Sequence, residues 1–198
     1  MKKILFFILF PFLLTGCQFI GTIYNVGDRV TTILLDNRPL SQDWTDLKTN
    51  SKIRKRLISE DPKFGIDLEI TVFENTVLLN GALPTADVVD QVLSIVWSVE
   101  GVEHVINYIR ISEQPSLIRT NEDAAVSAKI RTHLSLTRHV HSSNYKITME
   151  NGIVYLMGIT QDDAELERVV SVIKNTPSVE KFIILTRYKD APQTTFSE

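Results

Sequence analysis

The second half of this 198-residue chain repeats the first, and few folds accommodate that. At a constant shift of 77 positions, Lys52-Ile53-Arg54 answers to Lys129-Ile130-Arg131, Leu57 to Leu134, and Ile70-Thr71 to Ile147-Thr148. Val77, Leu79 and Gly81 match Val154, Leu156 and Gly158; Val92 and Ser94 match Val169 and Ser171; Val102-Glu103 pairs with Val179-Glu180, and Arg110 with Arg187. A gapless register over roughly sixty residues, agreeing at apolar and turn positions, marks a duplicated domain.

The order inside each copy is set by turn and helix signals. Asn151-Gly152 is a strong hairpin signal, because a two-residue type I′ turn needs φ > 0 at both positions. Tyr145, Ile147 and Met149 alternate with polar neighbours before it, and a short, mostly apolar strand ending at Gly158 follows. The first copy echoes this as Ile66 to Val72, a Glu74-Asn75 turn, and Val77 to Gly81. A helix is expected from Trp44 with Asp43 as its cap, Leu47, Ile53 and Leu57 on its apolar face, and a stop at Asp61-Pro62. Thr85 caps a second helix whose Val89, Val92, Val96 and Val99 form one stripe, with Gly101 as the C-terminal stop. Val102 to Ile111 reads as the third strand. Each copy is therefore α-β-β-α-β, an α+β unit with a three-stranded sheet and two helices on one face. At about 65 residues each, the copies are near the lower limit for an independent core, so they are expected to lean on each other.

The N-terminus carries a different kind of signal. Lys2 and Lys3 precede an apolar run, Ile4 to Leu14, too short to span a bilayer and interrupted by Pro11. It ends in Leu14-Thr15-Gly16-Cys17, which resembles the lipobox of bacterial lipoproteins. That resemblance implies cleavage before Cys17 and acylation of it; Cys17 is the only cysteine, so an intramolecular disulfide is excluded. Removing residues 1–16 moves the formal charge from −3 to −5, which disfavours nucleic acid as a partner. Gln18, where an Asp would favour inner-membrane retention, implies the outer membrane by the same resemblance. The expected division is signal peptide 1–16, lipidated connector 17–42, first domain 43–111, linker 112–120, second domain 121–188 and tail 189–198.

The paired α-β-β-α-β units, Asn151-Gly152-x-Val154-x-Leu156-x-Gly158, and Gly101-Val102 before a last strand together resemble tandem BON-domain lipoproteins. The resemblance implies a non-enzymatic, lipid-anchored protein on the periplasmic face of the outer membrane that binds anionic phospholipid and supports envelope integrity. It also carries a departure. The family's lipid-docking Trp, near the start of the second domain's first helix, is matched here by Ala125.

Candidate contact residues follow from charge and aromatics. Lys129, Arg131 and His133, with Arg138, His139 and His141 beyond, read as a basic rim for anionic headgroups or as a solvated helix face. Lys52 to Arg56 is a second basic run, a lipid surface or the place where Glu165 and Glu167 dock. Trp97, replaced by Lys174 in copy two, is expected outside the core, as an aromatic that touches the membrane or a partner; Trp44 is expected to staple the connector to the first helix. The histidines have no neighbouring acid at informative spacing, and with no further Cys no metal, cofactor or small-molecule substrate is expected. No nucleophile elbow, phosphate loop or zinc signature points to catalysis. The second function class is an interaction module for an envelope protein partner, such as outer-membrane assembly machinery or a peptidoglycan-remodelling regulator.

Overall fold

The computed structural model describes residues 40–112 and 117–191, all within the unit Asp36–Glu198. The signal peptide, Cys17, nearly all of the connector and the end of the tail lie outside the described residues.

The first copy runs α1 (Leu40–Glu60), a single turn α2 (Phe64–Asp67), β1 (Leu68–Phe73), β2 (Thr76–Leu83), α3 (Ala86–Trp97) and β3 (His104–Ile111). The second runs α4 (Leu117–Leu136), a 3-10 turn at Ser142–Asn144, β4 (Tyr145–Glu150), β5 (Ile153–Thr160), α5 (Asp163–Lys174) and β6 (Lys181–Tyr188). In each copy the first two strands form an antiparallel hairpin. The third lies parallel to the second, reached through the crossover helix.

Four of the turn residues have positive φ, Glu74 (45°), Asn75 (63°), Asn151 (49°) and Gly152 (80°), as type I′ requires. A buried aspartate from each copy's first helix holds these turns. Asp46 Oδ2 accepts from the Glu74 amide at 3.2 Å; Asp123 accepts from the Asn151 amide at 2.6 Å and the Gly152 amide at 3.3 Å. Gly81 and Gly158 are demanded by close approach, since a Cβ there would collide with the carbonyl oxygens of Asp67 and Asn144. Ser178 takes the positive φ (73°) that Gly101 takes in copy one (95°), a conformation unfavourable to Ser.

Side-chain alternation creates three cores. Ile53, Leu57, Val89, Val92 and Val96 of the copy-one helices cover Ile70, Val72, Val77 and Leu79 of the sheet. Ile130, Leu134, Val169 and Ile173 cover Ile147, Met149, Val154 and Leu156 in copy two. The opposite sheet faces meet each other: Phe73 and Leu78 pack with Tyr155, Met157, Ile159 and Leu185, and the Tyr108 and Tyr155 rings lie 5.1 Å apart at a 56° tilt. The layers are therefore helices, sheet, sheet, helices.

Each copy also sends an arginine from its last strand to the other copy's hairpin. Arg187 donates through Nε and Nη2 to Glu74 Oε2 at 2.9 and 2.6 Å, with only 6% and 8% of the two side chains exposed. Arg110 Nη2 donates to Glu150 Oε1 at 2.6 Å in a more open setting. Lys146 pairs with Asp43 at 3.6 Å across the same junction.

Several expectations are corrected. The first helix begins at Leu40, so Asp43 lies in its first turn and pairs with Lys146 instead of capping it. Trp44 is 70% exposed and is no staple; Leu47 is 58% exposed because Asp46, one position earlier, takes the inward place to hold the hairpin turn. Ile66 belongs to α2, whose Phe64 is anchored in the core, and β1 starts at Leu68. The third strand starts at His104, after the Gly101 turn. α4 begins at Leu117, inside the span expected as linker.

Breaking a pair buried on both sides strands a charge, whereas the Arg110 side chain already stands half in water. Arg187→Ala should lower unfolding stability by about 3–5 kcal/mol and Arg110→Ala by clearly less, as read by urea denaturation.

Candidate functional site

Two features stand out on this scaffold: an outward helix face in copy one and a cleft between the copies. Along α1, Ile53 and Leu57 turn inward, which leaves Trp44, Leu47, Lys48, Lys55 and Ile58 exposed. Their spacing of three, four and seven residues puts them on one stripe.

The basic run Lys52 to Arg56 does not act as a unit. Lys52 pairs with Glu100 at 3.3 Å, Arg54 Nη1 donates to the Gly65 carbonyl at 3.5 Å, and Arg56 Nη1 donates to the Ser98 carbonyl at 2.8 Å and its hydroxyl at 2.6 Å. Glu165 does not dock there. It is buried in its own copy, where it accepts from the Gln161 amide at 2.8 Å and the His141 amide at 2.7 Å.

The copy-two rim is split. Ala125, Lys129 and His133 are exposed at successive steps of four on α4. Arg131 lies two residues from Lys129, on the far side of the helix; its Nη1 donates to the Ile147 carbonyl at 2.8 Å and it lines the inter-copy cleft. Arg138 and His139 are exposed beyond the helix end, where the His139 carbonyl accepts from Arg168 at 3.3 Å. His141 has an acidic neighbour after all, Glu165 Oε1 at 3.1 Å from Nδ1, which residue spacing did not reveal. Among the described residues no three His, Cys, Asp or Glu side chains gather as a metal site would need. Trp97 is half-exposed at the end of α3, and its counterpart Lys174 lies 5.6 Å from the Phe182 ring centre.

The cleft brings Glu69, Asn80 and Arg110 of copy one against Thr148, Glu150 and Arg131 of copy two. None of these except Arg110, Arg131 and the copy-two hairpin was singled out by sequence reasoning. Burial pushes the Glu69 carboxyl above the usual carboxylate range, and this outweighs the opposing pull of Arg54 and Arg131. Burial likewise pushes the Tyr155 phenol, at the junction of the sheets, up to about 12.

Comparison with known proteins agrees with this architecture. The BON domain family model matches residues 45–113 and 122–183, and the prokaryotic membrane lipoprotein lipid attachment site matches residues 1–18. The chain belongs to the BON-domain family. It is a tandem-BON lipoprotein, and among its relatives is the outer membrane lipoprotein DolP of Haemophilus influenzae, 23% identical over 193 residues that cover 96% of this chain and 97% of that one. An uncharacterized protein in the gshII 5′ region of Anaplasma centrale is 33% identical over 141 residues, 70% of this chain and 91% of the other. The osmotically-inducible protein Y of Escherichia coli is 23% identical over 136 residues, 68% of each chain. The attachment site and the outer membrane lipoprotein among the relatives define a lipid-anchored outer-membrane protein of the cell envelope, and nothing in the relatives or in the described residues points to catalysis.

A carboxyl whose folded pKa is raised binds its proton more tightly folded than unfolded, so its ionisation weakens the fold at neutral pH. Glu69→Gln should therefore raise stability at pH 7. The gain should shrink as pH falls through the raised pKa of the folded state and be absent below about 4, as followed by urea denaturation across pH.

Proposed function

We propose that this protein binds the anionic phospholipid surface of the envelope through the exposed stripe of α1, with acyl chains on Cys17 as the tether. The observation that carries this reading is the stripe itself: Trp44 and Leu47, both well exposed, with Ile58, alternate with Lys48 and Lys55. Apolar side chains of this kind enter the headgroup boundary, where Trp is favoured at the interface. Each Lys near an anionic surface adds about 1 kcal/mol.

Position supports the same reading. Leu40 starts the helix that bears the stripe, and Cys17 lies 23 positions earlier in the chain. Once acyl chains hold the protein at the bilayer, weak contacts act at high effective concentration. The second BON domain, with Ala125 where the family has its docking Trp, adds Lys129 beside His133 as a weaker face. Arg131 is assigned no lipid contact, because it is turned into the cleft. Arg138 and Trp97 are exposed but stand off this stripe in sequence and element.

Co-sedimentation with phosphatidylglycerol vesicles tests the reading on the chain from Gln18 onward. Binding should fall with added salt, and Trp44→Ser with Leu47→Ser should weaken it by about tenfold or more, with Lys129→Glu having a smaller effect. Unchanged binding in the double variant would remove α1 as the contact. No binding by the parent chain, together with a protein crosslinked through position 44, would favour the interaction module.

A further inference from the structure

Duplication gives this molecule two equivalent seams, each crossed by an arginine from a last strand. One is closed: Arg187 uses Nε and Nη2 on Glu74 and Nη1 on the carbonyls of Tyr188, Lys189 and Ala191. At the other, Arg110 is bonded through Nη2 to Glu150, and a cavity of about 220 Å³ opens beside it.

The walls of that cavity hold polar atoms without partners. Asn80, on the central strand β2, is fully buried, and neither its Oδ1 nor its Nδ2 finds a hydrogen bond among the described residues. Thr148 Oγ1 and Glu150 Oε2, from the facing copy, are in the same condition. Such groups weaken a fold unless something satisfies them. Packing does not require Asn at this place. The equivalent residue of copy two is Met157, which sits fully buried in the apolar contact between the sheets.

We propose that this inter-copy cavity is a binding site for a small zwitterion of amino-acid or dipeptide size. Each copy contributes one guanidinium, Arg110 from the first and Arg131 from the second, and carboxylates stand on both sides, Asp67 and Glu69 from the first and Glu150 from the second. Glu150 Oε2 and Glu69 accept from an ammonium. Arg131 and the Asn80 amide group donate to a carboxylate. Asp123, also in the wall, is already committed to the amides of Asn151 and Gly152. The volume, below the roughly 300–1,000 Å³ of drug-sized pockets, suits a ligand of this size. A bound zwitterion would bridge the copies and so stabilise the whole body, and this reading stands apart from the α1 stripe. It also revises the expectation that no small molecule is bound.

The test is thermal unfolding of the full-length lipidated protein in detergent, with glycylglycine as the probe and acetate and ethylamine as single-charge controls. At ten times its Kd, glycylglycine should raise Tm by about 4 °C, with neither control doing so. Asn80→Met, which copies the side chain of the other half, should fold and lose the shift, and Arg131→Gln should lose it independently. No shift with millimolar glycylglycine, an equal shift with either control, or a shift retained in both variants would overturn the proposal.

Discussion

Each sheet in this molecule has two apolar faces and only one set of helices to cover them. That constraint governs the rest. Val154 and Leu156 of β5 lie under the helices while Tyr155, Met157 and Ile159 point the other way, and Phe73 and Leu78 do the same in copy one. Left open, these faces would expose large apolar groups on a domain that is already small for an independent core. Set against each other, they give a third core between the two that each copy builds alone, and the buried Arg187–Glu74 pair fixes the register of the contact.

Much of this was legible in the sequence. The shift of 77 exposed the duplication, and the hairpin, the valine stripe of α3 and the order of elements followed from local chemistry. The stacking of the sheets left a trace as well: Val154 to Met157 is continuously apolar instead of alternating, as expected of a strand covered on both faces. What escaped depended on distant partners. Leu47 looked like core because helix periodicity does not anticipate that Asp46 would be drawn inward to hold a hairpin turn 28 residues away. Lys129 and Arg131 looked like one patch because they are close in sequence, whereas the helix sends them to different sides. The cleft was invisible, since Glu69, Asn80 and Glu150 acquire their meaning only when the halves meet.

The lipid attachment site lies within residues 1–18, and the first described element starts at Leu40. The back-to-back sheets leave the helices as the outer layers, and it is on one of these, α1, that exposed apolar groups and lysines coincide. Duplication thus supplies a stable body, and divergence between the copies supplies what is specific to each surface: Trp44 and Leu47 on one outer helix, Asn80 in place of Met at one of two seams.

The second copy alone, residues 113–191, examined by circular dichroism and sedimentation, tests the dependence of each half on the other most directly. If the sheet faces need each other, the fragment will be unfolded or will self-associate through Tyr155, Met157 and Ile159. A monomeric fragment that unfolds cooperatively at the same urea concentration as the whole chain would contradict the account.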